Sequence, residues 1–255
     1  MNIIVLLKQT FDTEEKIVIE NQKISENGVE FIVNPYDEYA IEEAIKLRDE
    51  HGGEVTAVTV GPQRAESALR TALAMGADKA VLLDDEGLSM DEYSTARVLA
   101  AFIKEQSYDI IIGGNMSIDN GSGQVGPRLA ELLEIPQVTT ITKVEIQNGK
   151  AVVERDVEGD LEVIEVALPV LLTAQQGLND PRYPSLPNIM KAKKKPLQQL
   201  TTADLLLDQA DIKAKTMTSD LSLPQKKQAG RILAGDIKDQ VNELIQLLRN
   251  EAKVV

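Results

Sequence analysis

The chain has 255 residues, and its content of 43% hydrophobic and 27% charged residues is that of a globular protein with a sizeable core. Its formal net charge of −14 argues against nucleic acid as a partner, because phosphate binding needs a surface rich in Lys and Arg. The sequence has no Cys and one His, which excludes disulfides, thiolate metal sites and Cys nucleophiles and leaves few ligands for zinc.

The first predicted element is a continuous apolar run at residues 2–7, as expected for a strand that is buried on both faces. No basic leader precedes this run, and no apolar stretch reaches the roughly 18 residues of a membrane span. We therefore expect a cytoplasmic protein that is not embedded in a membrane. Residues 16–20 and 28–33 predict a short hairpin, after which a helix begins with Asn34 as its cap and ends at His51.

Strands and helices then alternate as far as residue 133. The predicted strands are residues 54–60, 79–83 and 109–112, and the predicted helices are residues 63–75, 91–106 and the segment that ends near residue 133. This alternation predicts an α/β fold with a mostly parallel, doubly wound, Rossmann-like sheet that has helices on both faces.

The pattern changes after Pro136. Residues 138–146, 151–155 and 161–167 predict an antiparallel ribbon, and residues 170–174 predict another buried strand. Residues 175–195 are rich in Pro and predict a loop, and residues 196 to about 231 are too polar for a core and predict an extended arm. Ile237, Val241, Leu244, Ile245 and Leu248 predict an amphipathic terminal helix. We expect one domain at residues 1–200 and an arm with its helix at residues 201–255.

Residues 113–127 form a glycine-rich loop between a predicted strand and a predicted helix. Small residues let a ligand approach the backbone, and the helix N-terminus offers free amides to a phosphate. Gly121, Gly123 and Gly126 match G-x-G-x-x-G, but about eight residues separate them from the strand, and no Lys-Ser or Lys-Thr follows. Neither a dinucleotide fingerprint nor a P-loop is therefore predicted. From spacing alone, phosphate binding and a flexible turn both remain open.

Four blocks of the sequence resemble successive blocks of electron transfer flavoprotein β subunits. These blocks are residues 34–44, 70–78, 114–126 and 181–195, and the resemblance runs from about residue 3 to residue 195. The most specific string is Leu-Pro-Asn-Ile-Met-Lys-Ala-Lys at residues 186–193. The resemblance implies an adenine-nucleotide α-hydrolase-like variant of the α/β fold. It also implies a heterodimer whose α subunit holds most of the redox FAD, while the β subunit contacts that flavin and buries an AMP.

The resemblance assigns cofactor contacts to residues near the predicted strand ends. They are Leu6, Asn34, Pro35, Tyr36, Asp37, Val60, Gly114, Asn115, Met116, Ser117, Ile118, Asp119, Asn120, Gly121, Ser122, Gly123, Gln124 and Val125 for AMP, and Thr13 near the isoalloxazine ring. Leu6 and Val60 can form an apolar floor for adenine, and the amides of residues 122–125 can bind the phosphate. Some family members bind a second FAD in place of AMP and bifurcate electrons. Their Asp-Gly-Asp-Thr-like loop differs from residues 119–123 of this chain, which favours AMP.

Residues 174–196 resemble the recognition loop by which the family docks acyl-CoA dehydrogenases. The matching residue for the Leu that enters the partner's pocket is Leu186, with Pro184 and Pro187 on either side and Ile189 and Met190 close behind. The alternative is that Leu186 packs on its own domain, and Lys191, Lys193, Lys194 and Lys195 are expected to form a solvated face.

The resemblance implies an electron carrier that does no bond chemistry of its own. It would accept electrons from acyl-CoA dehydrogenases in fatty acid β-oxidation and pass them to a membrane quinone oxidoreductase. The alternative is a free-standing adenine-nucleotide-binding protein, such as a hydrolase or a sensor, which would give no role to Leu186 or to the arm.

Overall fold

The computed structural model describes residues 1–226 and 229–255. They divide into a larger unit, residues 1–18 and 24–219, and a smaller unit, residues 19–23 and 220–255. A domain boundary at residue 200 stays a prediction.

Short strands and helices follow one another along the chain. In order, they are β1 (Asn2–Leu6), β2 (Gln9–Phe11), β3 (Ile19–Glu20), β4 (Lys23–Ile24), β5 (Phe31–Val33), α1 (Pro35–His51), β6 (Glu54–Gly61), a 3-10 turn (Gln63–Ala65), α2 (Glu66–Met75), β7 (Lys79–Asp84), α3 (Glu92–Ile103), β8 (Ile110–Gly114), α4 (Val125–Leu133), β9 (Gln137–Gln147), β10 (Lys150–Val157), β11 (Asp160–Ala167), β12 (Val170–Ala174), α5 (Leu186–Ala192), β13 (Leu197–Leu200), α6 (Ile237–Leu247) and a π-helical turn (Leu248–Ala252).

The larger unit is built on a nine-stranded sheet in the order β11-β10-β9-β12-β8-β1-β6-β7-β13. The strands from β9 to β13 in this order run parallel, and β10 and β11 form an antiparallel ribbon at one edge. The predicted α/β fold with a mostly parallel sheet and an antiparallel ribbon is therefore confirmed.

Two hydrophobic clusters cover the two faces of this sheet. Ile41 of α1 and Leu69 of α2 belong to one cluster, and Val98 of α3 and Leu129 of α4 belong to the other. In β8, Ile110 and Ile112 enter the first cluster while Ile111 enters the second, because successive side chains of a strand point to opposite faces. Each such buried side chain contributes about 1.5–3 kcal/mol, so the helices are held on both faces.

The predicted hairpin near the N-terminus pairs differently in the structure. The antiparallel partner of β5 is β2, with Phe11 opposite Phe31, whereas the sequence predicted residues 16–20 as the partner. The two rings are 5.1 Å apart between centroids, a spacing at which an aromatic pair is stabilising. This cross-strand pair explains the observed register, since residues 16–20 have no aromatic side chain to offer.

Two segments that the sequence predicted as irregular are regular elements. Within the predicted loop, α5 begins after Ser185, whose Oγ accepts a hydrogen bond from the Asn188 N–H, as a helix cap does. Within the predicted arm, β13 adds a parallel edge strand beside β7. Its pattern was hidden because only Leu197 and Leu200 touch the core, while the two residues between them are exposed glutamines.

Lys195 lies where α5 and the sheet meet, and it does not belong to a solvated face. Its Nζ donates hydrogen bonds to the carbonyl oxygens of Leu73 (3.0 Å) and Ala77 (2.6 Å), near the C-terminal end of α2. A cation at this end of a helix satisfies carbonyl groups that have no partner within the helix. Burial lowers the pKa of Lys195. Lys191, Lys193 and Lys194 are exposed, as predicted.

The smaller unit contains α6, which agrees with the predicted amphipathic helix. Asp236 accepts a hydrogen bond from the Asp239 N–H and so caps its N-terminus. The side chains of Ile237, Val241, Leu244 and Ile245 are all exposed in this chain. The predicted fifth residue of the stripe, Leu248, begins the π-helical turn that follows.

Candidate functional site

A cleft of about 640 Å³ lies in the larger unit at the carboxyl ends of β1, β6 and β8. In parallel sheets of this class, ligands bind at this edge. The residues of the cofactor prediction that line it are Leu6, Asn34, Asp37, Val60, Gly114, Asn115, Met116, Ser117, Asp119, Asn120, Ser122, Gly123, Gln124 and Val125. The fold thus brings together residues that are up to 119 positions apart in the sequence.

Five residues of the cofactor prediction do not line the cleft. Pro35 and Tyr36 form the first turn of α1 behind Asn34, and Gly121 is an exposed turn residue. Ile118 contributes its backbone N–H to Asn34, and Thr13 is exposed in the segment after β2.

The Asp37 carboxylate joins the three segments that meet at the cleft. Its Oδ2 accepts a hydrogen bond from the Lys8 N–H (2.6 Å), just after β1. Its Oδ1 accepts from the Gly114 N–H (3.0 Å), at the end of β8, and from Asn34 Nδ2 (3.0 Å). Because Asp37 lies in the first turn of α1, one buried side chain fixes the end of two strands to the start of this helix.

Asn34 holds the glycine-rich loop in place. It occupies the predicted cap position of α1, but its side chain makes no capping hydrogen bond. Its Nδ2 donates to the carbonyl oxygen of Met116 (2.9 Å), and its Oδ1 accepts from the Ile118 N–H (3.1 Å). The side chain therefore stabilises the loop on the opposite side of the cleft edge.

Gly114 is required by this close approach. A Cβ at this position would overlap the Asp37 carboxylate and the Cβ of Tyr36. A larger residue would separate the end of β8 from α1 and break the contact between the Gly114 N–H and Asp37.

The loop ends at the N-terminus of α4, whose preceding residues line the cleft. Asn120 Oδ1 accepts a hydrogen bond from the Ser122 N–H (3.0 Å), and Gly123 adopts a left-handed φ of 62°. The first amides of a helix have no acceptor within it and carry a partial positive charge, which suits a phosphate. Gly123, Gln124, Val125 and Gly126 all border the cleft, so these amides are available to a ligand.

Lys8 is a cleft residue that the sequence analysis missed. Its Nζ contacts both carboxylate oxygens of Asp119 (2.7 Å each) and Ser117 Oγ (3.2 Å). Burial alone would raise the pKa of Asp119, but the hydrogen bonds and charge of Lys8 outweigh it and lower that pKa. The ion pair neutralises the loop carboxylate in a cleft whose ligand is expected to be anionic. A lysine directly after the first buried strand was the available signal.

The end of the cleft near β2 and β5 is aromatic and was also missed. Phe11, Phe31 and Arg64 line it, and the Arg64 guanidinium lies 4.0 Å from the centre of the Phe31 ring. Gln9 Oε1 accepts a hydrogen bond from Arg64 Nη1 (2.6 Å) and fixes this cation. A planar group is suited to this end, because aromatic and guanidinium planes both stack.

The segment of residues 178–195, hereafter the docking segment, is fastened at both ends. Glu42 of α1 accepts two side-chain hydrogen bonds from Arg182 (2.7 and 2.8 Å), and Glu43 accepts one from Asn179 Nδ2 (2.8 Å). Burial alone would raise the pKa of Glu42, but Arg182 outweighs it and lowers that pKa. At the other end, Arg70 of α2 donates to the carbonyl oxygens of Ala192 and Lys195.

The middle of the docking segment is apolar and exposed. Tyr183 is 95% exposed, Leu186 79%, Met190 64% and Ile189 41%. Pro184 and Pro187 flank Leu186, and Pro187 lies in the first turn of α5. The alternative in which Leu186 packs on its own domain does not describe this structure.

Within residues 1–226 and 229–255, no group of three His, Cys, Asp or Glu side chains is arranged to hold a metal ion. None of the helices in this part of the chain is both long and apolar enough to cross a membrane.

Ionisation of Asp37 should make the stability of the chain depend on pH. Burial raises the pKa of Asp37 from 3.8 to about 7, although its hydrogen bonds oppose the shift. The folded chain then holds a proton that the unfolded chain releases, so the stability contributed by Asp37 falls as pH rises between these values. Relative to Asp37→Asn, wild type should lose stability between pH 5 and 7, by up to about 1.4 kcal/mol per pH unit.

Urea unfolding of both chains at several pH values measures this slope. The same change at exposed Asp49 controls for the loss of one negative charge. A stability difference between wild type and Asp37→Asn that stays constant from pH 5 to 7 would contradict the assignment.

Comparison with known proteins places the chain among relatives of one kind. The model of the family described as "Electron transfer flavoprotein domain" matches residues 22–205. The chain is 60% identical to the electron transfer flavoprotein subunit beta of Bacillus subtilis, with 100% of both chains aligned. It is 46% identical to that of Thermoanaerobacterium thermosaccharolyticum, with 98% of both aligned, and 36% identical to the mitochondrial protein of Arabidopsis thaliana, with 100% of both aligned. The chain belongs to the electron transfer flavoprotein family, as a β subunit.

Proposed function

We propose that this chain pairs with an electron transfer flavoprotein α subunit, buries an AMP in its cleft and helps to hold the FAD of that subunit. The observation that supports the nucleotide most strongly is the glycine-rich loop, which Asn34 and Asp37 fix at the carboxyl ends of parallel strands. Such a loop ahead of a helix N-terminus is suited to a phosphate.

The two walls of the cleft suit the two ends of AMP. Leu6 and Val60 end neighbouring strands and offer apolar surface to an adenine ring. The amides before α4, at residues 122–125, offer hydrogen bonds to a phosphate without a mobile cation. Lys8 is already paired with Asp119, so the backbone supplies most of the donors. The chain's net charge of −14 agrees with a site that binds its anion through amides.

The electron-carrying role follows from the α subunit's flavin. The chain would position that FAD at the subunit interface and exclude solvent, and would form or break no bond itself. Thr13 is exposed after β2, where contact with a partner-held ring is open to it. The exposed apolar stripe of α6, from Ile237 to Ile245, would pack on the α subunit, because such a stripe is otherwise unfavourable in water.

The docking segment is proposed to bind acyl-CoA dehydrogenases, with Leu186 entering a hydrophobic pocket. Electrons would then pass through the flavin toward a membrane quinone oxidoreductase, as in fatty acid β-oxidation in a cytoplasmic setting. The segment is suited to this role because both of its ends are held by ion pairs and hydrogen bonds while its apolar middle is exposed. A restrained loop loses little conformational freedom on binding.

The bound cofactors test the proposal directly. After co-expression with the α subunit and denaturation of the purified heterodimer, we expect one FAD and one AMP per heterodimer. Two FAD and no AMP would instead support the bifurcating type with a second FAD. A β chain that forms no complex with the α subunit, or a heterodimer without either adenine nucleotide in this cleft, would contradict the proposal.

Replacement of Leu186 by Ala should weaken coupling to dehydrogenases. Loss of one buried Leu side chain costs about 1.5–3 kcal/mol, so electron transfer at limiting carrier concentration should fall roughly 10- to 100-fold. The FAD and AMP content should not change. Steady-state reduction of the heterodimer by an acyl-CoA dehydrogenase measures the effect.

Leu206→Ala is the matched control, because Leu206 is 94% exposed in another part of the larger unit. Equal rates for wild type, Leu186→Ala and Leu206→Ala would show that Leu186 is not the docking residue.

A further inference from the structure

The arm returns to the cleft after β13. Ile212 is buried in the hydrophobic cluster of α3 and α4, so the chain is held against that face of the sheet. Beyond it, Thr216, Met217 and Thr218 line the same cleft as the glycine-rich loop. Residues 215–218, hereafter the strap, thus border the cleft although they lie about 90 positions beyond the loop in the sequence.

Asp91 fastens the strap. Its Oδ2 accepts hydrogen bonds from the Lys215 N–H (2.7 Å), the Thr216 N–H (2.9 Å) and Thr216 Oγ1 (3.1 Å). Beside this contact, Lys215 Nζ lies 5.0 Å from the centre of the Tyr93 ring, within reach of a cation–π interaction. The strap is therefore held by both backbone and side-chain contacts to the start of α3.

The same carboxylate also caps α3. Asp91 Oδ1 accepts hydrogen bonds from the Ser94 N–H (2.9 Å) and Ser94 Oγ (2.9 Å). Burial alone would raise the pKa of Asp91, but these hydrogen bonds outweigh it and hold the pKa well below its usual range. The two oxygens have separate tasks, one for the helix and one for the strap, so a substitution can remove one task and keep the other.

Met217 is the strap residue best placed to touch a ligand. It borders the cleft and is 87% exposed, so its side chain is not committed to the core. A thioether is flexible and polarisable and packs well against an aromatic ring. Met90, next to Asp91, lines the cleft as well and gives this side of it the same character.

We propose that the strap is a wall of the nucleotide cleft and that Asp91 positions it there, so that release of a nucleotide requires the strap to detach. The inference rests on the proposed binding of AMP in this cleft. It gives a role to part of the arm, which the cofactor prediction left without one.

Asp91→Ser separates the two tasks of Asp91. Ser caps helices about as well as Asp, but its single oxygen on a shorter side chain cannot also accept hydrogen bonds from the strap. Heterodimer with the α subunit is loaded with radiolabelled AMP and diluted into excess unlabelled AMP. Loss of three hydrogen bonds should make AMP release about tenfold faster. Met217→Ala should also speed release, about threefold, because it removes contact area.

Leu206→Ala is the control within the arm, since Leu206 is exposed and does not line this cleft. It should leave AMP release unchanged, and thermal unfolding of Asp91→Ser should match that of wild type. If Asp91 serves only the helix, its replacement lowers the unfolding midpoint or has no effect, and AMP release stays within twofold of wild type. Release within twofold of wild type in both Asp91→Ser and Met217→Ala overturns the strap proposal alone, whereas absence of AMP from the wild-type heterodimer overturns the nucleotide proposal as well.

Discussion

The buried carboxylate of Asp37 is the contact on which the cleft depends. It accepts hydrogen bonds from the backbone just after β1, from the end of β8 and from Asn34 at the start of α1. Removal of this acceptor would leave buried N–H groups without partners, which costs about 1–3 kcal/mol for each group. The glycine at position 114 and the position of the loop both follow from this contact, because the helix and the strand meet without space for a Cβ.

Helix α1 connects the cleft to the docking segment. Its first turn holds the loop through Asn34 and Asp37, and its middle holds the docking segment through Glu42 and Glu43. Both sites are therefore positioned by one helix that is itself packed in the core through Ile41 and Ile45. The electrostatics of the two ends differ, since Asp37 is paired with neutral donors and Glu42 with a guanidinium.

The sequence predicted the parallel sheet and most of the cleft residues, because buried strands and glycine-rich turns leave local patterns. It did not predict β13, whose two leucines are separated by exposed glutamines, or the pairing of β2 with β5, which depends on a contact between Phe11 and Phe31. Lys8, Arg64 and the strap were missed for the same reason. Their roles come from contacts between segments far apart in the chain, which no local pattern records.

Hydrogen–deuterium exchange of the heterodimer, with and without added AMP, tests the central claim most directly, namely that the loop fixed by Asn34 and Asp37 binds the nucleotide. AMP should slow exchange of the amides at residues 114–126 and at the strap, and should leave the docking segment unchanged. Unaltered exchange at residues 114–126 in the presence of saturating AMP would contradict the account.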